Sequence, residues 1–190
     1  MTDVEPNRHF DAGAAYLDEA YRSLRGHKRV AEGAMAQIDD EQFFRVLDPE
    51  SNSVALIVKH ITGNQKSRFT DFLTSDGEKP WRNRDTEFLS TEQDTREALM
   101  HRWEENWKLV LDTVKSLTPE DLARTVTVRG EQYSALVAVH RQVAHYAYHV
   151  GQIVFLCKHL RSTGWQSLSI PRGMSNAPEA LQAEKKWKNR

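Results

Sequence analysis

The sequence predicts an all-α protein, a four-helix bundle, and three observations carry that expectation. Its 190 residues include only six prolines and nine glycines, so long stretches lack both helix breakers. Four segments repeat apolar residues at spacings of three, four or seven, the period of one helix face. The length suits one compact domain, expected to span 1–190 with its core over about 8–160 and a peripheral segment at 161–190.

The first segment runs roughly from Arg8 to Ile38, with Phe10, Ala14, Leu17, Tyr21, Leu24, Ala31, Met35 and Ile38 on one stripe. The second follows Pro49, where Ser51-Asn52-Ser53 offers N-cap side chains, and Val54, Ile57, Val58, Ile61, Phe69 and Phe72 carry it to about Leu73. In the third, Thr91 is expected to cap with Asp94 three residues on, ahead of Leu99, Trp103, Trp107, Val110, Val114 and Leu117; Thr118-Pro119 closes it. The fourth starts near Ser134 and continues to about Leu160, and Gly164 is expected to take the left-handed turn that stops it. In this last helix Leu136, Val139, Val143, Val150 and Val154 lie opposite His145, while Val137 and Phe155 fill a flank. A helix apolar nearly all round must be buried nearly all round, which predicts a partner subunit, that is, a homodimer.

The connections are unequal. Residues 74–90 make a charged loop too long to be a simple connector, and such loops tend to carry function. Thr125-Val126-Thr127-Val128 followed by Arg129-Gly130 alternates like a short strand entering a tight turn.

Composition removes several functions. Lysine and arginine number 26 against 27 acidic residues, a formal charge of -1, which supplies no general field for nucleic acid or anionic lipid. The single cysteine, Cys157, sits in an apolar run; it excludes an intrachain disulfide, is expected to be a packed thiol and fits a reducing cytoplasm. No apolar run approaches the ~20 residues of a membrane helix, and the acidic opening Met1–Pro6 lacks a signal-like apolar stretch. The basic end Lys185–Arg190 reads as a solvated tail. Gly13, Gly26, Gly33 and Gly63 are isolated glycines within helical segments rather than a phosphate-cradling loop. Because Tyr146 follows His145, the His-Glu-x-x-His pattern of zinc peptidases is absent.

Histidines are the remaining chemistry. His145 and His149 project from one helix face about one turn apart, a spacing at which two imidazoles can share a metal ion, although hydrogen-bonded structural histidines fit it as well. His140 is turned ~140° from His145, and His159 lies about 21 Å along the axis, so neither completes that pair. His101 has Glu105 as an i+4 surface partner, and His9 and His27 have no paired spacing. His60 falls on the margin of the second helix's apolar stripe, facing either solvent or a cleft between helices. Asn64 is its next-turn neighbour, and Gln152 projects within about 20° of His145. Arg82 and Arg84 in the long loop are candidates for holding an anionic substrate, though Asp76, Glu78, Asp85 and Glu87 are near enough in sequence to neutralise them. Tyr146 and Tyr148 flank the second histidine, as a ligand-orienting group or as packing.

Lys59-His60-Ile61-Thr62-Gly63-Asn64 and Ala144-His145-Tyr146-Ala147-Tyr148-His149-Val150-Gly151-Gln152-Ile153 resemble the DinB-like (DinB/YfiT-like) superfamily, and more narrowly a branch of it without assigned function. The loop 75–85 and Ser169-Ile170-Pro171-Arg172-Gly173 are similar to that branch too, so the likeness covers about residues 50–175. The resemblance implies a four-helix bundle, commonly a homodimer, with one histidine from the second helix and two from the fourth around a divalent metal, often zinc or nickel; these carry over to His60, His145 and His149. Three imidazoles leave a coordination position open, as in catalytic zinc sites. Some members use a low-molecular-weight thiol as cosubstrate. The expectation is therefore a cytoplasmic metal-dependent enzyme activating a thiol or water towards a small electrophile, with a non-catalytic metal- or ligand-binding sensor or scaffold as the alternative and no nucleic-acid or membrane partner.

Overall fold

The computed structural model describes residues 10–177. His9, the expected helix start at Arg8, the acidic opening and the tail from Pro178, including Lys185–Arg190, lie outside them. Five α-helices occur in chain order: α1 (Ala12–Met35), α2 (Asp40–Phe44), α3 (Val54–Phe69), α4 (Arg96–Ser116) and α5 (Ala135–Arg161). A hairpin, β1 (Thr125–Val128) and β2 (Glu131–Ser134), precedes α5. The four long helices pack in a ring, α1 against α4 and α5, and α3 against the same two, which is the all-α four-helix bundle the periodicity predicts.

Helix boundaries follow the caps. Asp11 accepts the Ala14 N–H at 2.9 Å, so α1 begins after Phe10, which is exposed and no part of the stripe. The first segment ends at Met35 rather than Ile38, because Asp39 and Gln42 form a capping box that starts the separate α2, absent from the sequence reading. Ser53 caps α3 as expected, but the helix ends at Phe69 instead of Leu73: Asp71 takes φ 50°, and Phe72 returns to stack on Phe69 from the turn. The cap of α4 is Thr95, not Thr91. Asp94 does accept from the Thr91 amide and hydroxyl, at 2.9 Å each, yet it spends the same carboxylate on Lys59 at 2.6 Å, so this pair forms a freestanding turn.

Ser134 caps α5, and its stop is set by Ser162 at φ 53°, whose N–H bonds the Lys158 carbonyl; Gly164 follows in a 3-10 turn and is not the left-handed residue. The hairpin closes through Arg129 and Gly130, at φ 57° and 77°, the two-residue turn with both centres left-handed. Segment 165–168 packs back on α1: Leu168 meets Gly33, and Gln37 exchanges two hydrogen bonds with Gln166.

The core holds Leu24, Met35, Ile61, Leu99, Val139 and Ile153, with Trp103, Trp107 and Tyr146 in edge-to-face contact across the bundle. On α5 the side opposite His145 is largely taken up by the bundle itself, where Val139 and Val150 are buried and Val143 and Val154 partly so, while Leu136 at its start is exposed. The flank is exposed, with Val137, Tyr148 and Phe155 aligned and Phe155 68% accessible. Among the described residues no helix is long and apolar enough to cross a membrane.

Candidate metal centre

Two neighbouring helices bring three imidazoles together. His60 is buried midway along α3; His145 and His149 are half-buried one turn apart on α5. Their inner nitrogens converge: His145 Nε2 lies 3.4 Å from His60 Nε2 and 3.0 Å from His149 Nε2, and one nitrogen from each ring falls within 4.8 Å of the others. Two ligands on a tetrahedral zinc, each ~2.0–2.1 Å from the ion, stand about 3.3 Å apart, so these separations suit one shared cation.

The outer nitrogens decide what the inner ones offer. Nδ1 of His60 is 2.8 Å from Glu87 Oε2, and a carboxylate only accepts, so the ring donates there and its Nε2 keeps the lone pair. Nδ1 of His149 donates in the same way to Gln152 Oε1 at 2.8 Å. Two lone pairs therefore face the third ring, an arrangement that a cation reconciles. Among the described residues His145 has no outer partner: its Nδ1 is buried and unpaired, as is the side-chain oxygen of Gln142 three residues earlier. Burial, then the neighbouring charges of His149, His60 and Arg82, hold His145 down to about 3. Burial also lowers His149. Near neutral pH both are uncharged, the form that binds metal.

Glu87 neutralises Arg82, as its nearness in sequence suggests, but its place behind His60 was missed by sequence reasoning. A 3-10 turn at Asp85–Phe88, inside the loop 74–90, delivers it to α3, where Arg82 grips it with a two-point fork at 2.8 and 3.0 Å. Both side chains are almost wholly enclosed, at 8% and 3% exposure. Burial opposes the charge on Glu87, but hydrogen bonds and charge from His60 and Arg82 outweigh it and keep the carboxyl below its ordinary value. Gly63 makes the space. A Cβ there would come within 2.8 Å of the Glu87 carboxyl carbon. The one available signal was that mid-helix glycine, whose helix cost of about 1 kcal/mol asks for a reason. Phe88 from the same turn stacks on His60 with centroids 4.9 Å apart.

Beside the histidines opens a cleft of about 450 Å³, bounded by α3, α5, the loop and the hairpin. Loop and hairpin are tied together: Asp76 accepts the N–H groups of Arg129 and Gly130, and Gly77 donates to Thr127. Of the residues singled out from sequence, Asn64, Arg82 and Arg84 line this cleft, and Asn64 accepts from the buried Tyr146 hydroxyl at 3.0 Å. Gln152 supports His149 from behind. Tyr148 is exposed and outside the cleft lining, in edge-to-face contact with His149 at 4.9 Å between ring centroids. His140 sits on the cleft rim, apart from the cluster, and His101 pairs with Glu105 at 3.4 Å as expected. Cys157 is fully buried, and burial pushes its thiol up to about 12, which suits packing rather than nucleophilic work.

Residues 11–174 match the protein family described as "Protein of unknown function (DUF1572)", and the chain belongs to that family, a branch of the DinB-like superfamily. No curated protein and no solved structure matches the chain.

Proposed function

We propose that, as a member of this family, the chain is a single-domain, divalent-metal-dependent enzyme in which His60, His145 and His149 hold one ion, zinc or nickel, with a thiol or water activated towards a small electrophile in the adjoining cleft. The observation that carries this reading is the convergence of three Nε2 atoms, two of them with lone pairs set by outer hydrogen bonds. A bound ion would supply a Lewis acid able to ionise a thiol or a water near neutral pH. The protein's own part is positional. Glu87 holds the proton on His60 Nδ1, Arg82 fixes Glu87, and Gln152 does for His149 what Glu87 does for His60. Asn64 and Arg84 face the cleft, where a substrate would lie. The free Cys157 is in keeping with a cytoplasmic setting.

Elemental analysis of untagged protein tests the site. The expected result is one ion per chain in wild type, lost in His60→Ala and His149→Ala with helical circular dichroism retained. A wild type that stays empty after reconstitution with zinc and nickel would overturn it. A panel of thiols and electrophiles then separates the enzyme from a sensor or scaffold, a metal-dependent rate favouring the enzyme.

The same reading includes a homodimer, supported by the aligned exposed Val137, Tyr148 and Phe155 on α5. Sedimentation is expected to show a dimer that Phe155→Asp converts to monomer; a monomeric wild type rejects it.

A further inference from the structure

The wall of the cleft beside the histidines is cationic in a chain whose total charge is -1. Arg68, Arg82, Arg84, Arg129 and Arg141 line it, and among the described residues no aspartate or glutamate does. The carboxylates behind that wall are committed. Glu87 takes the Arg82 fork, and Glu78 takes Arg68 and Arg129 at 3.2 and 2.9 Å. Asp76 spends its oxygens on the amides of Glu78, Arg129 and Gly130. Among the described residues, Arg84 and Arg141 rest on ring faces alone, Phe88 and Tyr133, at 5.3 and 4.5 Å from the ring centroids. A guanidinium stacked on a ring is oriented by it and keeps its N–H edge available for a planar anion.

We infer that the cleft takes a small anionic molecule, whose carboxylate or phosphate oxygens are held by Arg84 and Arg141 and whose apolar portion lies against Phe72, Val126 and Val128. The inference rests on reading this cleft as the substrate site and names the class of molecule it selects. Size limits the ligand: about 450 Å³ admits a metabolite-sized molecule, whereas a nucleic acid needs an extended basic track. Electrostatics give the direction. Gathering arginines at one place costs mutual repulsion, a divalent ion on the histidines adds to it, and an anion relieves both. By linkage, the anion and the metal should strengthen each other's binding.

Calorimetric titration with phenylacetate, phenylphosphonate and the neutral phenylacetamide tests this, with and without one equivalent of zinc. At least one anion is expected to bind tenfold or more tightly than phenylacetamide in both conditions, more tightly with zinc, and the stronger of the two identifies carboxylate or phosphate as the recognised group. The Arg84→Gln/Arg141→Gln double variant should lose at least tenfold in anion affinity while its zinc content and circular dichroism stay unchanged; both side chains are exposed, so the fold does not depend on them. Equal affinity for phenylacetamide, absence of anion binding, or binding that needs zinc and ignores the arginine substitutions would overturn the inference. Arginine-dependent anion binding in a chain that takes up no zinc would leave the inference standing and remove the metal reading alone.

Discussion

On α5, His145 and His149 stand one turn apart, and the outer partner of His149, Gln152, comes from the same helix three residues on. On the α3 side, His60 draws its outer partner Glu87 from a turn 27 residues further along the chain, and Glu87 in turn depends on Arg82 and on the missing side chain of Gly63. One half of the site is therefore secured by helix periodicity alone. The other is a tertiary assembly of buried charges, in which the loss of one partner strands the next.

The largest expected effect falls on that tertiary half. Glu87→Ala leaves Arg82 enclosed without its counter-charge, and breaking one partner of a buried pair costs about 3–5 kcal/mol. Urea unfolding should read that loss, and chelator competition a drop in metal affinity of about 10–100-fold. Gly63→Ala should reproduce the affinity loss by displacing Glu87 while all three histidines remain. An unchanged affinity in Gly63→Ala would mean that Glu87 does not orient His60.

Acid should act next, through the helical half. An unfolded histidine titrates near about 6.5, but in the fold His145 is held down to about 3 and His149 is lowered as well. Between those values the unfolded chain binds protons that the fold refuses. Stability of the metal-free protein should thus fall as pH drops from about 6.5 towards 3, and be insensitive to these groups above 6.5. Thermal melts across that range check it, and a flat profile would place the two rings in water. The smallest effect belongs to Gln152→Ala. It removes one neutral hydrogen bond, net about 0.5–1.5 kcal/mol, and should weaken metal binding less than either change on the α3 side. An equal or greater loss would erase the contrast between the two halves.

Legibility from sequence followed the same division. The four long helices and the His145–His149 pair come from local repeats, and Ser53 and Ser134 cap where a serine before an apolar run predicts. The shortfalls arose where a local signal had a competing use. Asp94 fits a capping box with Thr91, yet Lys59 claims it, and the helix starts one turn later at Thr95. Phe10 and Ile38 fit the first stripe by period, but the caps at Asp11 and Asp39 exclude both from α1. On α5 the period places Leu136, Val139, Val143, Val150 and Val154 opposite His145; the bundle covers that side except at Leu136, and the Val137–Phe155 flank stays open.

By itself, the sequence determined what repeats within a few residues: helix content, the all-α class, the hairpin turn and the two imidazoles of α5, because a helix or a two-residue turn is a local solution to backbone hydrogen bonding. Spacing left His60 open and the family likeness added it to the pair; only the tertiary structure decided that Glu87 and Arg82 stand behind it, and that arginines of α3, the loop, the hairpin and α5 share one cleft. Those relations are set by which buried charges can be paired when distant segments meet, and no spacing along the chain encodes that.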